Sequence, residues 1–399
     1  LPQNVTDLTQ HYLGWVEYRA SGWHFPIGLI ENIQYPNMVS VIYTDSIPIF
    51  AIFFKLFSGI LPADFQYFGL FGALCYALQG GFAACFIYHF TQKKLFSILS
   101  SLFFSGSLIM LFRMYYHTSL SAQWLIIASL YLWICKESEL STVKSILSWA
   151  ALSTISTLTH LYFLPMIWGC MLCDALDQAL HYKYKRGFLS ILVSGVCVLL
   201  SGWISGLFYG SGSKNGMFYG IFTFNLNGFI NPFDYSFFFK QLPTISQWQY
   251  EGLAYLGSGM MILIIVCAVL FTVRIIQNKI VKKTADTEQQ EPSKNKKEHK
   301  KRIKKSIPYI VFCVVFTLLA TSNIITFNDH AIYIPIPDGI TNALSVFRCS
   351  GRLIWPVYYM IFLFTCIGIH HLIKKKYIPE LLITTSIIIQ IIDISPRIL

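Results

Sequence analysis

The chain is 399 residues long, 55% hydrophobic and only 12% charged, with a mean hydropathy of +0.55. An ordinary soluble domain carries about 25% charged residues, so this composition excludes that class. The formal net charge of +11 is concentrated, because twelve of the 30 Lys and Arg residues lie in the run 274–305 among Gln, Glu and Asn. Such a run is typical of a solvated connector, with contact to anionic lipid headgroups as the alternative. Nucleic acid is therefore not a predicted partner.

The chain opens with a polar, aromatic-rich segment, residues 1–65, and continues as a series of long apolar runs. Inside the first segment the apolar stretch 47–61 is only fifteen residues long and is interrupted by Lys55, which predicts a short interfacial helix. The later runs are continuous rather than alternating, so they predict an all-α, polytopic membrane bundle and not a barrel. The ten predicted spans cover 66–90, 95–112, 119–135, 144–158, 161–179, 187–208, 254–276, 307–325, 354–373 and 378–394.

The basic residues predict which loops face the cytoplasm. Arg274, Lys144 and the loops 91–94, 136–143, 180–186, 277–306 and 374–377 hold 22 of the 30 Lys and Arg residues, so the positive-inside rule makes them cytoplasmic. The predicted layout has a first extracytoplasmic loop over 1–65, helices over 66–208, an extracytoplasmic loop over 209–253, a helix over 254–276, a basic cytoplasmic loop over 277–306, and helices over 307–394 around an extracytoplasmic loop over 326–353. We expect a multi-pass protein of the cytoplasmic membrane whose working face is extracytoplasmic. Because the chain starts at Leu1 in a polar stretch, we also expect a preceding spanning helix.

The first extracytoplasmic segment holds the best candidates for chemistry. Asp7, His11 and Tyr12 lie at i, i+4 and i+5, and a helix would place Asp7 and His11 on one face. A carboxylate just outside a spanning helix is well placed to take a proton from an acceptor hydroxyl. Asp45 precedes the short apolar helix, where it is either a second site carboxylate or a plain N-cap.

The second extracytoplasmic segment is rich in Asn, Gly and aromatic residues. Amides such as those of Asn225 and Asn227 bond sugar hydroxyls, and aromatic rings stack on sugar faces, which favours a carbohydrate ligand. The same residues also simply make turns, and the two interpretations carry equal weight. Glu251, just before a span, is either a first-turn helix acid or a further site carboxylate, and Lys214 is a candidate for binding phosphate.

The third extracytoplasmic segment ends with two arginines at the entry of a span. Arg348 and Arg352 are four residues apart and share a helix face at headgroup depth, where a forked guanidinium grips a lipid-linked phosphate. Snorkelling to ordinary headgroups is the alternative. Arg113, in a short turn with aromatic neighbours, is a further phosphate candidate, with an interfacial aromatic belt as the alternative. His160 is interpreted as a hydrogen-bonded residue at a helix end.

Seven motifs resemble one known group of proteins. They are DLTQHYLGW at 7–15, WHFPIG at 23–28, YTDSIPI at 43–49, FQYFG at 65–69, FNLNGFINP at 224–232, QYEGLAYLG at 249–257 and FRCSGRLIWPVYY at 347–359. In order along nearly the whole chain, they resemble an uncharacterised bacterial family of multispanning membrane proteins that is grouped with GT-C-type glycosyltransferases. The resemblance implies a polyprenyl-phosphate-linked sugar donor, an essential acid in the first outer loop and a juxtamembrane helix in that loop. Asp7 fits the position of the acid, although it stands alone where a neighbouring Asp–Glu pair is frequent.

The predicted function is sugar transfer from a polyprenyl-phosphate donor to an extracytoplasmic glycan or lipid-linked acceptor. Asp7 would act as general base or orient the acceptor, with Asp45, His11 and Glu251 shaping the cavity. The alternatives are a transporter or lipid flippase, which the nearly charge-free centres of the spans disfavour, and a non-enzymatic scaffold of a surface-polysaccharide complex. No cofactor is predicted: a carboxylate cluster facing water could bind a divalent ion, but no single loop supplies enough ligands.

Overall fold

The computed structural model describes residues 7–136, 140–180, 184–209, 219–285 and 293–398, without the side chains of 279–305 and 397–398. Lys214 lies outside the described residues, and its phosphate-binding role stays a prediction. The α-helices are α1 (Asp7–Ala20), α2 (Pro48–Lys55), α3 (Phe68–Thr91), α4 (Lys94–Ser105), α5 (Leu108–Tyr116), α6 (Trp124–Cys135), α7 (Thr142–Thr157), α8 (Phe163–Leu180), α9 (Tyr184–Ser205), α10 (Ser258–Ala285), α11 (Ser293–Thr321), α12 (Asp338–Leu344), α13 (Trp355–Leu372) and α14 (Ile378–Ile398). Two small antiparallel hairpins pair β1 (Leu29–Gln34) with β2 (Asn37–Ser40) and β3 (Ile324–Phe327) with β4 (His330–Tyr333).

The fold is helical, as predicted, and within the described residues six helices are long and apolar enough to cross a bilayer. They are Phe68–Thr91, Thr118–Cys135, Tyr184–Ser205, Ser258–Asn278, Ser350–Leu372 and Ile378–Pro396. Helices α4 and α5 would make a seventh span, although they are bent by 46° at their junction. The other predicted spans correspond to α7, α8 and the apolar end of α11, which are shorter or less apolar. The count of ten spans stays a prediction.

One compact unit comprises Leu1–Phe86, Phe104–Tyr219 and Pro337–Arg348. Helices α6, α7, α8 and α9 pack against one another within it. Two buried indoles fix this packing, since Trp133 of α6 donates to Asp177 and Trp149 of α7 donates to Asp174, each over 2.8 Å. A buried indole N–H needs a partner, and both acceptors are carboxylates of α8, so these bonds set how α6 and α7 lie against α8.

Helix α1 is held on the same unit by one continuous face. His11, Gly14, Trp15 and Tyr18 recur at i, i+3, i+4 and i+7, and all four are buried. The indole of Trp15 donates to the carbonyl of Phe65 over 2.9 Å, and the hydroxyl of Tyr18 donates to that of Ile27 over 2.6 Å. The face that carries His11 is therefore fixed by aromatic packing and by two long-range hydrogen bonds.

The β1–β2 hairpin rests on the C-terminal end of α9. The Ile27 amide donates to the Ile204 carbonyl over 2.8 Å, and the Ser40 hydroxyl donates to the Ser205 carbonyl over 2.8 Å. Gly28 permits this approach, because a Cβ there would overlap the Ser205 carbonyl oxygen. The hairpin in turn positions the loop that follows β2.

The second compact unit comprises Ile87–Phe103, Gly220–Ile336 and Cys349–Leu399. In it α10 packs against both α13 and α14. Asp393 of α14 is fully buried and accepts from the Tyr255 hydroxyl over 2.8 Å and from the Ser258 amide over 2.7 Å. Because Ser258 is the first residue of α10, this carboxylate accepts a hydrogen bond from an amide that has no partner within the helix. Its negative charge also interacts favourably with the positive end of the α10 dipole.

Candidate functional site

Five acidic and histidine side chains meet in the first unit, although they come from distant parts of the chain. His117 stands between two carboxylates, with Nδ1 3.1 Å from Oδ2 of Asp7 and Nε2 3.3 Å from Oδ2 of Asp45. His160 approaches the other oxygen of Asp45, its Nε2 lying 3.6 Å from Oδ1. The ring of His11 packs edge-on against that of His117 with the centroids 4.5 Å apart. We call these five residues the Asp–His cluster.

Helix α1 contributes Asp7 and His11 from one face, and a small residue allows it to approach the loop that carries Asp45. The Ser46 hydroxyl donates to the carbonyl of His11 over 2.7 Å. A Cβ at Gly14 would overlap the side chains of Thr44 and Ser46, so only glycine lets the helix lie this close. The predicted relation of Asp7 and His11 thus serves a shared site.

The Asp45 segment has an unusual backbone. Asp45 and Ile47 both adopt left-handed conformations with φ of 55°, which is uncommon for aspartate and a genuine outlier for a β-branched residue. Each such residue costs about 1–3 kcal/mol, and residues of this kind concentrate at functional sites. The N-cap position of α2 is Ile47, with no side-chain capping bond, so the interpretation of Asp45 as an N-cap was wrong. The carboxylate instead points to the histidines.

Sequence reasoning missed His117 and His160 as site residues. His117 follows the last residue of α5, and His160 lies in the connection between α7 and α8. The Tyr162 amide donates to Nδ1 of His160 over 3.2 Å, which leaves Nε2 to face Asp45. Only their position at the ends of apolar runs could have drawn attention to them, and that position predicts a helix end as readily as a site.

Burial and charge set the protonation of the inner part of the cluster. Burial lowers the pKa of His11 to about 4, helped by His117 and opposed by Asp45 and Asp7. His11 is therefore neutral at neutral pH. Partial burial alone would raise the pKa of Asp45, but His160, His117 and His11 outweigh it and hold that pKa well below its ordinary value. Asp45 is thus a carboxylate.

The cluster runs from solvent into the protein. The exposed fraction of the side chain falls from 60% at Asp7 and 29% at Asp45 to 9% at His117 and 8% at His160, and His11 is 1% exposed. One side is thus the solvent-exposed carboxylate of Asp7, and the other is formed by three imidazoles that are at most 9% exposed. One ligand atom each of His11, Asp45 and His117 lies within 4.8 Å of the other two, close enough for all three to contact one cation.

An apolar pocket of about 620 Å³ lies in the same unit, lined mainly by α2, the end of α9 and Leu158. This volume is typical of small-molecule sites. The Ile49 amide donates to the Leu158 carbonyl over 2.7 Å, so the start of α2 is fixed to the end of α7. The pocket residues Ile49 and Leu158 therefore follow Asp45 and precede His160 by a few positions. The segment after Asp45 and the segment before His160 thus each contribute a residue to the wall of the pocket.

Three other predicted site residues of the first unit are not members of the Asp–His cluster. Tyr12 is half-buried on α1. Arg113 is 2% exposed in α5, with its guanidinium 5.0 Å from the ring centroid of Phe112. Arg348 is exposed directly after a short 3₁₀ helix. Of these three, Arg348 has the surface position that a headgroup phosphate could reach.

The other predicted residues belong to the second unit. Nε of Arg352 donates to Oε2 of Glu251 over 2.8 Å, and both side chains are only 6% exposed. Removing two charges from water costs nearly as much free energy as their attraction supplies. The pair therefore fixes the positions of the two side chains but adds little to the stability of the fold. A phosphate bound at Arg352 would have to share the guanidinium with Glu251. Phosphate binding by Arg352 stays a prediction.

Asn225 and Asn227 are each 1% exposed within the second unit. The Asn225 amide donates to Gln249 Oε1 over 3.1 Å and to the Asn328 carbonyl over 2.9 Å, and that of Asn227 donates to Asn328 Oδ1 over 2.9 Å. Asn225 also makes a local turn bond, since the backbone amide of Asn227 donates to its Oδ1 over 3.2 Å, as the turn-forming interpretation expects. The sugar-binding role stays a prediction, and a sugar would have to displace this network to reach either amide.

These features define a class of protein: a helical chain with apolar helices long enough to cross a bilayer, and with an ionisable cluster and an apolar pocket in one compact unit. Comparison with known proteins then places it in a family. The model of a domain of unknown function, DUF6311, matches residues 1–395, and the chain belongs to that family. No curated protein matches the chain, and no solved structure matches it.

Proposed function

We propose that the chain is an integral membrane glycosyltransferase of GT-C-like type, which transfers a sugar from a polyprenyl-phosphate donor to an extracytoplasmic acceptor. The observation that supports it best is the apolar pocket of about 620 Å³ in the same unit as the Asp–His cluster, with wall residues Ile49 and Leu158 close in the chain to Asp45 and His160. A donor of this class has a long apolar chain and a sugar linked through phosphate. It needs apolar space and an acid–base group within reach of each other, and both lie in this unit.

In the proposed reaction the Asp7 carboxylate accepts the proton of the acceptor hydroxyl as that oxygen attacks the anomeric carbon. The bond from that carbon to the phosphate oxygen breaks, and the polyprenyl phosphate leaves with its electron pair. Asp7 suits this role because 60% of its side chain is exposed while His117 fixes one of its oxygens. Asp45 and the histidines form the more buried side of the Asp–His cluster.

The prenyl chain would occupy the pocket between α2 and the end of α9. Its lining is apolar apart from Ser201 and Ser205, and Phe53 and Leu56 at its border are exposed. An aromatic and aliphatic wall of this kind suits an isoprenoid chain entering from lipid. Arg348 is the exposed cation that would meet the phosphate, which makes the donor and membrane lipids the proposed partners.

The direct test is a transfer assay with purified protein in lipid nanodiscs and a polyprenyl-phosphate sugar bearing a radiolabel. We expect Asp7→Asn to lower turnover at least about 100-fold, the lower end of what a positioned base contributes, while donor binding is kept. Asp64→Asn is the matched control, since Asp64 is an exposed acid in the same segment. Its turnover should equal that of the wild type.

Equal turnover of Asp7→Asn and the wild type would remove the catalytic role of Asp7. A protein that carries substrate across a liposome membrane without forming any new glycosidic bond would instead be a transporter. A scaffold would show neither activity, and substitutions in the Asp–His cluster would then break complexes without any loss of chemistry.

A further inference from the structure

We infer that the Asp–His cluster is a binding site for one divalent transition-metal ion, with His11, Asp45 and His117 as its protein ligands. This inference goes beyond the proposed function, because it rests on the ligands alone and holds whatever reaction the protein performs. The three ligand atoms come from α1, from the loop before α2 and from the residue after α5. A set of ligands that comes from three distant segments cannot be recognised from the spacing of residues in a sequence motif.

The separation of the ligand atoms suits a small cation. Nε2 of His117 and Oδ2 of Asp45 are 3.3 Å apart. Two ligands at 2.0–2.1 Å from a tetrahedral zinc ion are about 3.3 Å apart, so this pair already has the required spacing. All three ligand atoms lie within 4.8 Å of one another.

His11 supplies an independent observation. Its side chain is 1% exposed, and both ring nitrogens are buried without a hydrogen-bond partner in the described structure. Burying an imidazole in this way is unfavourable, because its ring nitrogens lose their hydrogen bonds to water. A metal ion would use the lone pair that no protein group uses.

The surroundings of the ligands match those of known metal centres. Metal-binding histidines generally donate their second ring N–H to a carboxylate or carbonyl, which fixes the tautomer. Nδ1 of His117 lies 3.1 Å from Asp7 and so fixes Nε2 as the ligand atom. Nε2 of His160 faces the second oxygen of Asp45 and holds that carboxylate in place. Asp7 and His160 are thus positioning residues for the metal ligands.

The donor set selects the type of ion. Two imidazoles and one carboxylate favour zinc and its first-row neighbours, whereas magnesium and calcium prefer sites made wholly of oxygen. Three protein ligands leave a fourth position for water or substrate, as in catalytic zinc sites. The exposure of Asp7 and Asp45 lets solvent reach that position.

The test measures bound metal directly. The chain is purified with an affinity tag that contains no histidine, stripped with a chelator, reloaded with zinc, freed of excess ion and analysed by mass spectrometry of the metal. We expect close to one ion per chain in the wild type and background amounts in His11→Gln, Asp45→Asn and His117→Gln. His24→Gln is the matched control, because His24 also pairs with a carboxylate, Glu31, but without a third ligand. It should bind as the wild type does.

A second measurement needs no substitution in the site. Cobalt reloaded into the stripped wild type should give the intense visible bands of a four- or five-coordinate ion, and zinc should remove them by competition. Asp7→Asn should weaken the affinity about 10–100-fold, as loss of a carboxylate that orients a histidine ligand does in known sites. A merely structural role of Asp7 would leave the affinity unchanged.

The inference is overturned if the wild type stays at background after reloading with zinc, cobalt and manganese. It is also overturned if folded His11→Gln and His117→Gln proteins retain the ion. The outcome is separate from that of the transfer assay. Stoichiometric metal without sugar transfer would support the site and remove the proposed reaction. Sugar transfer by a protein that stays at background metal after reloading would support the reaction and remove the site.

Discussion

A single buried histidine shows how function and stability oppose each other at the residue scale. His11 lies on the face of α1 that packs into the protein, among Gly14, Trp15 and Tyr18, where an apolar side chain would pack without any polar cost. Its imidazole instead has two buried nitrogens that no described hydrogen bond satisfies. A residue of this kind persists when the site needs it, and it lowers the stability of the fold without its ligand.

We therefore predict that His11→Leu stabilises the metal-free protein while abolishing metal binding. The apolar side chain keeps most of the volume and removes the unsatisfied nitrogens, which should raise the free energy of unfolding by about 1–3 kcal/mol. The measurement is the Tm of chelator-treated protein in detergent. His24→Leu should shift the Tm little, because the side chain of His24 is 31% exposed. A lower Tm for His11→Leu would show that the imidazole is satisfied and structural.

At the element scale the position of α1 depends on one glycine. The helix can place His11 in the cluster only because Gly14 has no Cβ to meet Thr44 and Ser46. Both of these residues belong to the segment that carries Asp45, and the Thr44 and Ser46 hydroxyls are 2.8 Å apart. The segment is therefore held by hydrogen bonds and cannot yield without breaking them.

We predict that Gly14→Ala displaces α1 and destabilises the protein by about 1–3 kcal/mol, the usual cost of overpacking. Gly69→Ala is the matched control in α3, where an added Cβ meets nothing within 4 Å. It should be neutral or stabilising by up to about 1 kcal/mol, because alanine favours a helix over glycine. Both Tm values and the bound metal are measured. Equal effects of the two substitutions would show that α1 does not depend on close packing at Gly14.

The same scale shows which parts of the site the sequence could predict. The relation of Asp7 to His11 follows from helical spacing, and the apolar helices follow from composition, so both were predictable. His117 and His160 lie in connections that meet only after α5, α6, α7 and α8 have packed, and no local pattern encodes that meeting. The left-handed backbone of Asp45 is equally hidden, because it is fixed by contacts around it rather than by aspartate itself. Glu251 and Arg352 pair across 101 positions, beyond any local signal.

At the scale of the whole chain, the cluster bears on how the helices cross a membrane. Asp7, Asp45, His117 and His160 meet at one place, so the connections that carry them lie on one side of the first unit. Helix α6 is followed by the connection to α7, and α7 returns the chain to His160. If α6 crosses the bilayer, α7 must therefore cross it too, although its sixteen residues span only about 24 Å. The charge distribution independently predicts the same side as extracytoplasmic.

We therefore predict that positions 64 and 142 lie on opposite faces of the membrane. Cysteines introduced as Asp64→Cys and Thr142→Cys, both exposed, would be tested in a chain whose native cysteines are replaced, with a maleimide reagent that cannot cross membranes. Position 64 should react in intact cells, whereas position 142 should react only after lysis. Lys93→Cys, in the predicted cytoplasmic loop 91–94, is the control for an interior position. Reaction of position 142 in intact cells would place it on the same side as position 64, and neither α6 nor α7 would then cross the membrane.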